Sequence, residues 1–256
     1  LRFINSLLVT ALFVTTIVYA AMSPYFYVKN IDAAASEHYD SRTLVALSGV
    51  SIGENGFKLL FEEPGKFYML RIGSAERRIT ENCPYVKSAR VRYIIPSTVR
   101  IEVTERIPAA LLRLEGTSLI IDREGYMLEL SPIQETAGLP VFKGIEPDSL
   151  TLGTKIEKDT QKLLTAFEVY DYIKQIDEGS ADKFLPDVDY IDVGDTGNIS
   201  ISIESRITAD LGDTEELNYK INAIRTIMAN NIKKDERGRL YFSSDEKIVF
   251  SPENGG

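Results

Sequence analysis

The chain has 256 residues, 44% apolar and 26% charged, with a formal net charge of -9 at pH 7, a composition that fills one large or two modest domain cores and excludes a disordered tail. Its acidic residues all lie beyond position 31, so a continuous phosphate-binding surface would have to be built against the protein's own field, which argues against nucleic acid as a partner. Cys83 is the only cysteine, which excludes an intramolecular disulfide and any cysteine-based metal site.

Residues 4–22 read INSLLVTALFVTTIVYAAM, with no charged residue and only Asn5, Ser6 and three threonines as polar interruptions. Those 19 residues approach the roughly 20 that a helix needs to cross a hydrocarbon layer about 30 Å thick. The run predicts a transmembrane helix behind a short cytoplasmic end, residues 1–3. Arg2 precedes it, and Tyr25, Phe26 and Tyr27 follow it, where aromatic rings favour the headgroup level. The positive-inside rule then puts the amino terminus in the cytoplasm and the folded part outside, a single-pass arrangement in the cell membrane. A cleaved signal peptide is the alternative, because Val18 and Ala20 stand at the spacing a signal peptidase reads. Either reading exports the remainder.

A first domain is expected over residues 26–106. Residues 26–31 look like a short strand, and Asp40 with Ser41 supplies N-cap chemistry for a brief helix carrying Leu44 and Leu47 and closed by Gly49. After a turn-rich stretch with Gly53, Gly56, Pro64 and Gly65, apolar residues recur at Ile72, Ala75, Ile79 and Cys83, a helical face ended by Pro84. On that face Cys83 is a small core residue rather than a redox centre. Ala89, Val91 and Tyr93, then Val99, Ile101 and Val103, alternate with charged or polar side chains on either side of Ile95, Pro96 and Ser97. These predict an antiparallel hairpin with one face on the helices and a solvated, charged outer face, in the order β-α-α-β-β.

A second domain is expected over residues 107–252, followed by a tail at 253–256. Short apolar runs at 109–114, 119–122 and 126–130, separated by turn residues, predict a meander. Leu163, Phe167, Tyr170 and Ile173 give one helical stripe over about 160–176, interrupted by the 179–186 segment. Strands follow at 190–193, 199–203 and 207–211, and a second amphipathic helix from near Thr214 carries Leu217, Ile221, Ile224 and Met228. Residues 239–242 and 247–250, joined by 243–246, form a terminal hairpin. The whole is an α+β chain: an apolar helix, a β-α-α-β-β domain, and a second α+β domain with a mainly antiparallel curved sheet and two helices.

Little in the sequence suggests chemistry. His38 is the only histidine, and no motif sets a serine or cysteine nucleophile beside it. Neither H-E-x-x-H, G-x-S-x-G nor a phosphate-binding lysine loop occurs. Aspartates 187, 189, 192, 195, 210 and 213 lack the spacing of a calcium loop and fall largely in turns. The expectation is a protein without catalytic residues, cofactor or metal, one that works by binding other proteins. An unpaired sheet edge recruits partners by strand addition, and residues 247–250, β-prone and carrying large apolar groups, are the natural site. The alternative is a core strand with a covered edge.

The residues also carry a resemblance. The stretch FYVKNI, then ITENCPYVKSARVRYIIPSTVRIEVTER followed by IPAALL, resembles a POTRA domain behind a membrane helix, of the FtsQ/DivIB type found in bacterial division proteins. It continues through LIIDREGYMLEL, LPVFKG and ADLGDTEELNYKINAIRTIM, nearly the whole exported chain. The family's frequent aromatic before the hairpin proline is Ile95 here. The resemblance implies a divisome assembly protein at the division septum that binds FtsB/DivIC-like and FtsL-like coiled-coil partners. The contacts it implies are Tyr219, Lys220 and Asn222 on the last helix, and Leu240, Tyr241, Phe242, Ser243, Lys247, Ile248, Val249 and Phe250 on the last strands, with other division proteins meeting the POTRA part. The alternative is a POTRA-bearing secretion or transport component that handles extended polypeptide.

Overall fold

The computed structural model of the chain describes residues 2–132, 138–180, 182–243 and 247–253. Residues 244–246 of the expected terminal turn, Ala181 of the 179–186 segment and 254–256 of the tail lie outside them. The chain divides into two compact units, Leu1–Arg106 and Ile107–Gly256.

The first unit opens with helix α1, Arg2–Ala21, whose segment Phe3–Ala21 is long and apolar enough to cross a membrane. Thr10, Thr15 and Thr16 each donate a hydroxyl to the carbonyl four residues back, at 2.8 to 2.9 Å. Those bonds satisfy the three threonine hydroxyls within the helix itself. The strand expected at 26–31 instead begins at Asn30 (β1, Asn30–Ala33). The intervening residues Pro24–Phe26 form a 3₁₀ turn in which the Ser23 hydroxyl accepts from the Tyr25 N–H, and the Phe26 ring packs edge-on to Phe57 at 5.0 Å.

Helix α2 (Ser41–Ser48) starts where Asp40 accepts from the Thr43 N–H at 2.7 Å and ends at Gly49, whose φ of 68° only glycine adopts without strain. A six-residue helix, α3 (Gly56–Phe61), is capped by Asn55. It escapes the periodicity because it is under two turns long. Helix α4 (Gly73–Asn82) follows, and its face Ile72, Ala75, Ile79 and Cys83 is fully buried. Strands β2 (Val86–Ile94) and β3 (Thr98–Glu105) form the antiparallel hairpin, and β1 adds parallel to β3, giving the order β1-β3-β2. Ala89, Val91, Tyr93, Val99 and Ile101 face the helices while Arg90, Arg92, Arg100 and Glu102 face outward.

The second unit is a nine-stranded sheet. Its strands are β4 (Pro108–Leu114), β5 (Thr117–Asp122), β6 (Met127–Ser131), β7 (Val141–Lys143), β8 (Val188–Asp192), β9 (Ile199–Ile203), β10 (Ile207–Gly212), β11 (Gly238–Phe242) and β12 (Ile248–Pro252). The spatial order is β12-β11-β10-β9-β8-β7-β4-β5-β6. Most neighbours are antiparallel; β4·β7, β7·β8 and β10·β11 are parallel. A parallel step needs a crossover, and helices α5 (Thr160–Glu178) and α6 (Leu217–Asn230) supply two of them, from β7 to β8 and from β10 to β11. Both helices bury their apolar stripes, Leu163, Phe167 and Ile173 on one and Leu217, Ile221 and Ile224 on the other, in one core with Phe142, Ile201, Ile207 and Leu240. Helix α6 begins three residues after Thr214, because Asp213 turns its carboxylate onto the Glu215 N–H and the Lys220 ammonium, both at 3.0 Å.

Candidate partner-binding edge

Strand β12 is the last strand of the sheet, and the hydrogen bonds fix which of its backbone groups are used. Across the β11–β12 pair, Ser243 N–H donates to Lys247 C=O and Glu253 N–H donates to Arg237 C=O, both at 2.8 Å, with Tyr241 opposite Val249 and Arg239 opposite Ser251. In an antiparallel ladder such pairs alternate with pairs whose backbone groups point away. Lys247, Val249, Ser251 and Glu253 therefore face β11, and the N–H and C=O of Ile248 and Phe250 face outward. Pro252 offers only a carbonyl there, so the row of outward donors ends at it.

The side chains alternate as well. Ile248, Phe250 and Phe242 are half-buried against the core, whereas Tyr241 is 39% exposed on the opposite face. Leu240 is only 1% exposed, so its side chain belongs to the core. Arg239 binds Asp210 through two hydrogen bonds, at 2.5 and 2.9 Å, across the β10–β11 pair. A Cβ at Gly238 would collide with the backbone of Ser251 and Pro252, which explains why glycine opens β11.

Beside this edge runs a groove of about 660 Å³ between α6 and β12, lined by Tyr219, Asn222, Ala223, Thr226, Ile227, Lys247 and Ile248. The structure brings Tyr219 and Asn222 together with Lys247 and Ile248. Lys220 is turned instead to Asp213, whose carboxyl is held below its ordinary value first by that ammonium and then by the Glu215 N–H. Ala223, Thr226 and Ile227 were outside the expected set. Their signal was present, since 219, 222, 223 and 226 recur at the three- and four-residue spacing of one helical face.

Three of the aspartates singled out in the sequence have partners in turns or on neighbouring strands. Asp189 accepts from Ser202 and Ser205, Asp192 from the Gly194 N–H and Asp195 from the Gly197 N–H, which is turn chemistry. In the first unit His38 stacks on Tyr85 at 3.7 Å, and its Nδ1 lies 2.8 Å from Glu105. Burial would raise the Glu105 carboxyl, but hydrogen bonds from His38 and Ser36 outweigh it and hold the group below its ordinary value. Glu37 joins these two within 4.8 Å, a grouping that the sequence reading, which left His38 without a partner, did not contain.

Residues 35–106 match the family profile of the POTRA domain, FtsQ-type. The chain is 26% identical over 206 residues to the cell division protein FtsQ of Syntrophotalea carbinolica, a match covering 80% of this chain and 66% of that one. To the cell division protein FtsQ of Koribacter versatilis it is 25% identical over 68% of this chain and 45% of the relative. To the cell division protein DivIB of Clostridium acetobutylicum it is 21% identical over 89% of this chain and 84% of the relative. The chain thus spans about two thirds of the first of these relatives and under half of the second. An FtsQ-type POTRA domain thus lies in the first unit, and similarity to cell division proteins named FtsQ and DivIB runs on through the second.

Proposed function

We propose that this chain is a non-enzymatic cell division protein that α1 anchors in the cell membrane as a single pass, with its folded units outside the cytoplasm, and that assembles partner proteins at the septum. Similarity to proteins named for cell division supports the process, and the apolar helix Phe3–Ala21 supports the anchor. The observation that carries the binding mechanism is the outward-facing backbone of Ile248 and Phe250 beside the α6 groove. A partner of FtsB/DivIC or FtsL type, a membrane coiled-coil protein, would add a strand to β12 and rest side chains in the groove between Tyr219 and Ile248. Main-chain bonds give such docking its affinity and the groove its selectivity. Confinement to the membrane raises the effective concentration of both partners with no added contact.

Other division proteins would meet the POTRA unit. The test is deletion of residues 247–253, followed by capture of the coiled-coil partners from solubilised membranes. Loss of capture by a variant that still folds and fractionates with membranes is the expected result. Unchanged capture would remove β12 from the mechanism.

A further inference from the structure

The chain leaving α1 is locked onto one end of the POTRA unit. Asn55 donates its side-chain amide to Ala21 C=O at 2.9 Å, Tyr93 donates its hydroxyl to Phe26 C=O at 2.9 Å, and the Lys29 N–H donates to Ser97 C=O at 2.8 Å. The Gly53 N–H donates to Val28 C=O, and the Tyr93 N–H to Leu70 C=O, both at 2.8 Å. Three loops and the hairpin tip therefore converge where α1 ends.

That end is apolar on its surface. Tyr25 is 63% exposed, Ile52 70% and Ile95 48%, and Tyr27, Met69 and Ile94 are exposed with them. Among the described residues of the unit, no exposed large apolar side chain occurs at 28–51, 70–93 or 96–106. The opposite end of the hairpin, where Ser88 pairs with Thr104, is polar. Scattered exposed apolar residues need no explanation, but a contiguous patch does. Exposed Lys29 and Lys58 flank this one, and Glu54 is turned back to the Ser51 N–H at 3.1 Å.

We propose that this end of the first unit lies on the membrane surface, with Ile52, Ile94 and Ile95 dipping into the headgroup layer and Lys29 and Lys58 against anionic lipid phosphates. Isoleucine and tyrosine side chains gain by leaving water at that depth, as aromatic belts do, and α1 delivers them there covalently. The proposal rests on the reading that α1 is a membrane anchor. It makes the POTRA unit a body held in one orientation rather than one swinging on a tether, and so sets which faces other proteins can reach.

The chain contains no tryptophan, so a single introduced indole reports alone. The full chain carrying Ile95→Trp, Ile52→Trp or, as control, Thr104→Trp, about 20 Å along the hairpin, is reconstituted in phosphatidylethanolamine–phosphatidylglycerol vesicles with acyl chains brominated near the headgroup. Emission from Ile95→Trp and Ile52→Trp shifts to the blue and is lost to the bromines, while Thr104→Trp is unaffected. If the protein floats with the vesicles and both probes remain unquenched, or all three are quenched alike, the proposal is overturned and the anchor stands. If quenching needs an added membrane protein, the surface is a protein-docking one and the proposal is likewise overturned. Failure to float at all overturns the anchor itself.

Discussion

The two edges of the nine-stranded sheet are finished differently. At the β6 edge the chain returns to cover the start of its own strand: Met127 N–H donates to Thr154 C=O at 2.9 Å, Gly153 N–H to Met127 C=O at 2.7 Å, and Ile156 N–H to Gly125 C=O at 3.0 Å. At the β12 edge no described residue does so. In the first unit the β2 edge repeats the covered pattern: it is bordered by residues 70–72, with the Ile72 N–H donating to Val91 C=O at 2.8 Å. An uncovered edge invites pairing with another chain. The β12 edge differs from the β6 and β2 edges in this respect, and it has the α6 groove beside it.

The contrast can be broken first at β2. Glu76, 3% exposed, holds the covering segment in place: it accepts two hydrogen bonds from Arg71 and one from Lys66, each at 2.7 Å, and one from the Val91 N–H at 3.0 Å. Glu76→Ala leaves these donors unmatched and should destabilise the first unit by about 3 kcal/mol, read as a fall in the urea midpoint. Burial alone would raise the Glu76 carboxyl, but its donors outweigh it and keep the group below its ordinary value. Glu105 behaves in the same way. Because both folded values are depressed, the stability they contribute is present above the unfolded value of about 4.3 and is lost as pH falls through the folded values. Glu76→Gln should flatten part of that acid loss.

At β6 the covering turn depends on Gly153, whose φ is 82°. A β-branched residue is strained there, so Gly153→Val should cost about 2 kcal/mol and speed amide exchange at Met127. At β12, Ile248→Pro removes an outward donor, whereas Ile248→Ala removes the same side chain and keeps the N–H. Proline should weaken partner binding about tenfold more than alanine does, about 1.4 kcal/mol, as measured by titration. Smallest is Tyr93→Phe, which removes the hydroxyl donated to the Phe26 carbonyl and should lower the stability of the first unit by about 1 kcal/mol.

Much of this architecture is legible in the residues. Alternation at Ala89, Val91 and Tyr93 and again at 199–203 finds buried faces because strand period is two, and the stripes of α4, α5 and α6 stand out because helix period is 3.6. Short elements carry too few repeats to register, which is why three-residue β7 and six-residue α3 were not expected. Strand order is a long-range property, so the parallel insertion of β7 between β4 and β8 had no local signal. The same limit applies at the edge. Alternation separates Leu240 from Tyr241 but does not say which faces the core, and it says nothing of which N–H groups point outward. Val249 donates toward β11, so proline there would damage the hairpin rather than the outward row of N–H groups.

The central claim is that partners add a strand to β12, and amide hydrogen exchange tests it at single residues. In the free protein Val249 and Ser251 should be protected while Ile248 and Phe250 exchange quickly. On binding the coiled-coil partner, Ile248 and Phe250 should slow to match their neighbours. If the partner binds tightly and those two amides still exchange at their free rates, strand addition at this edge is wrong.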